Sequence, residues 1–131
     1  MHEQFYKADF QLADNFSGLD RKSKGQSGEQ FATMIYEANG FTIEQTDLRI
    51  GRNQVDLVAS KTGVFHFVEV KFRQTLLDGH RAICAAQINR IASVAEKYML
   101  DKTAYYQIDI FLIDRNMNWQ RIDNFAREMH I

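Results

Sequence analysis

The chain has 131 residues, of which 45% are apolar and 25% charged, an ordinary balance for one soluble globular domain with a core of its own. A net charge of −1 excludes a globally basic nucleic-acid binder, although residues 21–100 carry 11 bases against 8 acids, a mild excess that permits phosphate contact without requiring it. Cys84 is the one cysteine, so no internal disulfide forms and a reducing, cytoplasmic setting is expected. No stretch has a signal-peptide pattern or the length of a membrane span, so no membrane partner is expected.

Residues 1–24 read as an N-terminal extension, in which Phe5, Ala8, Leu12 and Phe16 would stripe a short helix and "SGLDRKSKG" reads as linker. A single α/β domain then occupies residues 25–131. "SGEQFATMIYEANG" predicts a helix. Ser27 would be its N-cap, Gln30 would complete a capping box, Phe31, Met34, Ile35 and Ala38 would form the buried stripe, and Gly40 would end it. "FTIEQT" predicts a strand, "QVDLVAS" a second and "VFHFVEVKF" a third, the last two joined by a "KTG" turn. "LDGH" reads as a loop. A long helix from about His80 to Leu100 carries Cys84, Ile88, Ile91, Ala95 and Tyr98 on one stripe, which makes Cys84 a packed thiol. "YYQIDIFLI" predicts a fourth strand, "WQRI" a short fifth after the turn "DRNMN", and "NFAREM" a closing helical turn. The order α-β-β-β-α-β-β is that of an α/β sheet of about five strands covered by helices.

Charges interrupt the most apolar part of this pattern. Along "VFHFVEVKF", Glu69 and Lys71 share a face with Phe65 and Phe67, and both faces are apolar over most of the strand. Folding the preceding strand back about the Lys61–Gly63 turn brings Asp56 near the Glu69 end. Two carboxylates and an ammonium would then converge at one sheet edge. Carboxylates, a backbone carbonyl and water are ligands that suit Mg²⁺ or Mn²⁺, and a lysine beside such an ion can position a water and offset phosphate charge. A Glu–Lys pair on an edge strand is ordinarily a solvated salt bridge. The apolar run around this pair is what favours the functional reading.

The remaining candidates have simpler readings. His2, His66, His80 and His130 lack metal-ligand spacing. Asp109 is expected in a structural role, as a buried partner for a basic group. Tyr105, Tyr106 and Trp119 suit a core or sheet edge as well as they suit base stacking.

The ordered series "GEQFATMIYEANGFTI", "QVDLVAS", "FVEVKFRQ", "AEKYML", "IDIFLI" and "RIDNFARE" resembles the YraN-like family of the PD-(D/E)xK, or restriction-endonuclease-like, nuclease superfamily, related to archaeal Holliday junction resolvases. The resemblance covers about residues 25–128 and implies a restriction-endonuclease-like mixed sheet. It implies Asp56 and Glu69 as metal ligands together with the Val70 carbonyl, Lys71 as the residue that positions the water, and Glu29 as an additional acid. Arg73 and Gln87, with Lys71, would contact nucleic acid. The implied protein is a Mg²⁺- or Mn²⁺-dependent endonuclease that acts on DNA, branched DNA included, as a homodimer. Two positions depart from the family pattern: Gln54 stands where an acid is common beside Asp56, and Gln87 where a lysine is common. They keep a second reading open, that of a catalytically weak nucleic-acid-binding or interaction module that retains the nuclease fold.

Overall fold

The computed structural model describes residues 2–7 and 21–129, and the side chains of residues 28–123. The elements are β1 (His2–Lys7), α1 (Arg21–Ala38), β2 (Thr42–Ile50), β3 (Asn53–Lys61), β4 (Val64–Phe72), α2 (Leu76–Arg81), α3 (Ala85–Tyr98), β5 (Tyr105–Ile113) and β6 (Asn118–Met129). One six-stranded sheet has the order β1-β6-β5-β4-β3-β2. Among the described residues only β4 and β5 run parallel; the other four pairings are antiparallel. This is the expected mixed sheet flanked by helices, with one strand added. The addition is β1, which pairs with β6 from His2↔Asp123 to Lys7↔Asn118, so Phe5 lies on a strand and not on a helix. Ala8, Leu12 and Phe16, the rest of the expected stripe, lie outside the described residues.

Several boundaries move for identifiable reasons. Helix α1 starts at Arg21, so Ser27 lies within it and is not its cap. Its buried residues among those described are Gly28, Phe31, Ala32, Ile35 and Tyr36, while Ala38 is exposed; the Tyr36 hydroxyl has a buried partner to reach. "LDGH" is helical, not a loop, and forms most of α2. Gly79 there is buried, and a Cβ added to it would stand 3.0 Å from Leu112 Cδ2. That glycine is needed for close approach to the sheet and is not a turn signal. The expected long helix breaks at residues 82–84, and Cys84 is the residue that caps α3. It is exposed, which corrects its reading as a packed thiol. "NFAREM" extends β6 instead of closing as a helix.

The sheet divides two apolar layers. On one side Phe31, Ala32, Ile35 and Tyr36 of α1 pack on Leu57, Ala59, Val68, Phe111 and Trp119. On the other, Ile88, Ile91, Val94 and Ala95 of α3 pack on Val58, Phe67, Ile108, Ile110 and Leu112. Strand β5 is buried along all but its first residue, as a central strand covered on both faces should be. No helix among the described residues is long and apolar enough to cross a membrane.

Among the described residues, one charged side chain is fully inside. Asp109 sits at a bulge in the β5–β6 ladder. It accepts from the Tyr36 hydroxyl at 2.6 Å and from Gln107 Nε2 at 2.8 Å, and it meets His66 Nδ1 at 2.8 Å and Arg121 Nε at 3.7 Å. Burial alone would raise the Asp109 carboxyl, but the His66 bond and the charges of His66 and Arg121 outweigh it and hold it below the ordinary aspartate value. This fits the structural role expected of Asp109. Asp109→Asn removes the charge and leaves Arg121 half-compensated, so it should cost about 3 kcal/mol, read as a lowered urea midpoint with unchanged slope.

Candidate active site

The β3–β4 hairpin sets the site. Thr62 and Gly63 both have positive φ, at 50° and 80°, as a tight two-residue hairpin turn requires. The turn fixes the register from Lys61↔Val64 to Leu57↔Val68. The ladder stops there, one step short of Asp56 and Glu69. In its place the Val70 N–H donates to Asp56 Oδ2 at 2.8 Å. Strand β3 is irregular at this point. Val55 belongs to the α3-side core and Leu57 to the α1-side core, although residues two apart on a regular strand share a face. On the other flank Asp47, opposite Asp56 by count along β2, takes φ 53°. The sheet is thus distorted on both sides of the carboxylate it presents.

Four elements deliver the expected residues. Glu29 comes from α1, Asp56 from β3, Glu69 and Lys71 from β4, and Gln87 from the first turn of α3. Burial first, then the charge of Asp56, raises Glu29 from 4.5 to about 7. The same two causes, in the same order, raise Glu69 to about 8 against the opposing pull of Lys71. Three carboxylates therefore repel one another in a partly dehydrated place, and the one nearby lysine does not neutralise them.

Lys71 is buried. Its Nζ donates to Gln87 Oε1 at 2.6 Å and lies 4.0 Å from Glu69 Oε2. Burial lowers its pKa from the ordinary lysine value, and the nearby Arg73 charge adds to this. The other end of the Gln87 amide donates to Glu69 Oε2. Gln87, expected to contact nucleic acid, is therefore engaged at both ends as a bridge between Lys71 and Glu69. Arg73 is exposed just beyond, and its Nη1 donates to the Phe72 carbonyl at 3.0 Å.

A cleft of 240 Å³ opens on Asp56, Glu69 and Gln87, with Arg52 and Arg90 also in its lining, while Lys71 lies behind its wall. The two arginines are cations that the sequence reading missed. Arg90 lies three residues after Gln87 on α3, hence on the same helix face, and that spacing was a usable signal. Arg52 stands in the β2–β3 turn, where no periodicity marks it. Asp47 was also missed; its charge reaches Glu29. Cys84 lies within electrostatic reach of Lys71.

The donor set suits a hard divalent cation: carboxylate oxygens, a main-chain carbonyl at Val70, and room for water. Among the described residues no three of His, Cys, Asp and Glu form a ready-made cage. Two protein carboxylates with several retained waters is the mode in which Mg²⁺ commonly binds.

The family model described as "Uncharacterised protein family UPF0102" matches residues 28–123. The chain belongs to this family. UPF0102 is the YraN group of PD-(D/E)xK nuclease-like proteins, and its matched span holds Glu29, Asp56, Glu69, Lys71 and Gln87. Similar proteins include a UPF0102 protein of a Nitratiruptor species, 32% identical over 101 residues, covering 76% of this chain and 89% of the relative. One of Erythrobacter litoralis is 33% identical over 92 residues, or 68% and 79% of the two chains. One of Dictyoglomus turgidum is 26% identical over 116 residues, or 81% and 98%.

Proposed function

We propose that this UPF0102 protein is a metal-dependent DNA endonuclease that acts on branched DNA. The observation that carries the reading is the placement of Asp56 and Glu69 beside a buried Lys71, at the point where the β3–β4 ladder opens into a cleft. Asp56, Glu69 and the Val70 carbonyl would hold Mg²⁺ or Mn²⁺. A bound ion supplies a Lewis acid for a phosphoryl oxygen and makes a nearby water more acidic.

The chain's own residues do the rest. The Val70 N–H fixes one oxygen of Asp56, whose side chain lines the cleft. Lys71 orients the attacking water and offsets the charge that gathers on the phosphate. Gln87 keeps the Lys71 ammonium in place against the entropy of a long side chain. Arg52, Arg90 and Arg73 offer phosphate contacts along the approach. In the hydrolysis, the water oxygen bonds to phosphorus as the bond to the leaving sugar oxygen breaks, and that oxygen departs as a hydroxyl.

One domain presents one such centre, so paired cuts in a four-way junction need two copies, and a homodimer is part of the proposal. Incubation of a labelled four-way junction and a linear duplex with Mg²⁺, Mn²⁺ or chelator tests it, alongside light scattering at several concentrations. Metal-dependent cleavage with a preference for the junction, by a dimer, is expected. Junction binding without cleavage under any metal would favour the binding-module reading.

A further inference from the structure

A second cleft, of 330 Å³, lies at the far end of the sheet and on the α1 side, away from Asp56 and Glu69. Asn39, Phe41, Lys61, Thr62, His66 and Arg121 are among the residues that line it. Among the described residues no acid lines it. Its basic groups come from three elements and are individually held in place.

His66 is buried, with Nδ1 at 2.8 Å from Asp109 Oδ2. Because that carboxylate accepts, Nδ1 carries the hydrogen and Nε2 is left without a hydrogen-bond partner among the described residues. Arg121 donates from Nη2 to Asp123 Oδ2 at 2.7 Å, while its Nη1 has no partner among the described residues. Lys61 donates one of its three protons to the Asn39 carbonyl at 2.7 Å. No carboxylate of the described residues lies in ion-pair range of Lys61. The Lys61 ammonium and the Arg121 guanidinium approach the same Phe41 ring, at 5.3 and 5.4 Å from its centroid.

Like charges gathered in this way disfavour one another unless an anion joins them. Among the described residues, the titratable and charged groups around His66 are Asp109 on β5, Tyr36 on α1, Arg121 on β6 and Lys61 on β3. Lys61 and Arg121 bring two positive charges to the cleft wall from two strands, and their carboxylate neighbours among the described residues do not line it. The cations cover Phe41, so no ring is open for a base to stack on. The recognisable part of a ligand is its anionic group.

We propose that this cleft binds a phosphate group, with Lys61 Nζ and Arg121 Nη1 as the cationic donors and His66 Nε2 beside them on the cleft wall. Two cationic donors from two strands suit a tetrahedral anion with several acceptor oxygens. The site is separate from the metal centre, and its ligand is either free phosphate or the terminal phosphate of a nucleic-acid strand.

Imidazole nitrogen NMR of the full chain, titrated with inorganic phosphate at pH 7, reads the proposal. A saturable shift of the His66 Nε2 signal is expected. Lys61→Ala, at an exposed position, should weaken binding about fivefold while the His66 Nδ1 signal stays where it was. Absence of a saturable His66 shift, or equal affinity in Lys61→Ala, would overturn the proposal. A short oligonucleotide with and without a 5′-phosphate identifies the source. Tighter binding of the phosphorylated strand than of inorganic phosphate assigns the site to strand ends; equal binding assigns it to free phosphate.

Discussion

Lys71→Met is expected to lower the rate of DNA cleavage by about 10²–10⁴-fold while Mg²⁺ still binds. A charged lysine has no lone pair and cannot be a ligand, so its loss removes the group that orients the water and leaves Asp56 and Glu69 in place. Methionine keeps most of the buried stem, which protects the packing of a side chain that is only 5% exposed. The change has a second consequence. Lys71 lowers the Glu69 pKa, so without it Glu69 holds its proton more firmly. Apparent metal affinity should fall somewhat at pH 7 and recover near pH 9. Junction cleavage and calorimetry on the same preparation separate the two effects. Full activity in Lys71→Met would remove Lys71 from the chemistry.

A stability that falls with rising pH in the absence of metal is the second large effect. Glu29 and Glu69 have folded-state pKa values of about 7 and about 8, above their ordinary value of 4.5. Between 4.5 and 8 the folded chain therefore holds more protons than the unfolded chain, and stability declines as pH rises. Below 4.5 both states are protonated; above 8 the whole penalty is present. Glu69 dominates, because it is the more deeply buried. At 1.36 kcal/mol per pH unit the rise of Glu69 alone corresponds to about 5 kcal/mol; solvent screening at this partly exposed cluster reduces the expected loss to on the order of 3 kcal/mol, or about 10 °C in melting temperature for a domain of this size. Glu69→Gln should flatten the profile. Millimolar Mg²⁺ should restore the lost stability at pH 8 and do little at pH 5, because the ligands must be deprotonated to bind. A wild-type melting temperature that is flat from pH 5 to pH 8 would contradict this account of the carboxylates.

Much of this was legible in the sequence because two simple periodicities carry it. Alternation along "QVDLVAS" and "VFHFVEVKF", joined by a turn that only a few residues can form, was enough to bring Asp56 toward Glu69. The same alternation could not show that β3 becomes irregular at Asp56 or that Asp47 takes a left-handed conformation. Those features depend on cross-strand contacts that local pattern does not contain. Gly79 misled in the opposite way: a glycine between Asp78 and His80 reads as a loop, whereas close approach to Leu112 is why it is there. Cys84 misled because the apolar stripe was extended one turn too far, past the break that makes it an exposed cap. The Gln87 bridge was hidden as well. A glutamine on a helix face carries no mark of its partners until the sheet places Lys71 and Glu69 beneath it. β1 escaped because an isolated strand of six residues, rich in polar side chains, has no visible partner in a one-dimensional reading; its partner, β6, lies more than a hundred residues away.

The central claim is that Asp56 and Glu69 together hold a divalent cation. Titration of Mn²⁺ into the protein at pH 8, with free Mn²⁺ followed by electron paramagnetic resonance, tests it without any assumption about the DNA substrate. The wild-type chain is expected to take up Mn²⁺ saturably, and Asp56→Asn and Glu69→Gln are each expected to weaken that uptake at least tenfold, about 1.4 kcal/mol. Wild-type protein that leaves all the Mn²⁺ free, or variants that bind it as well as wild type does, would contradict the claim.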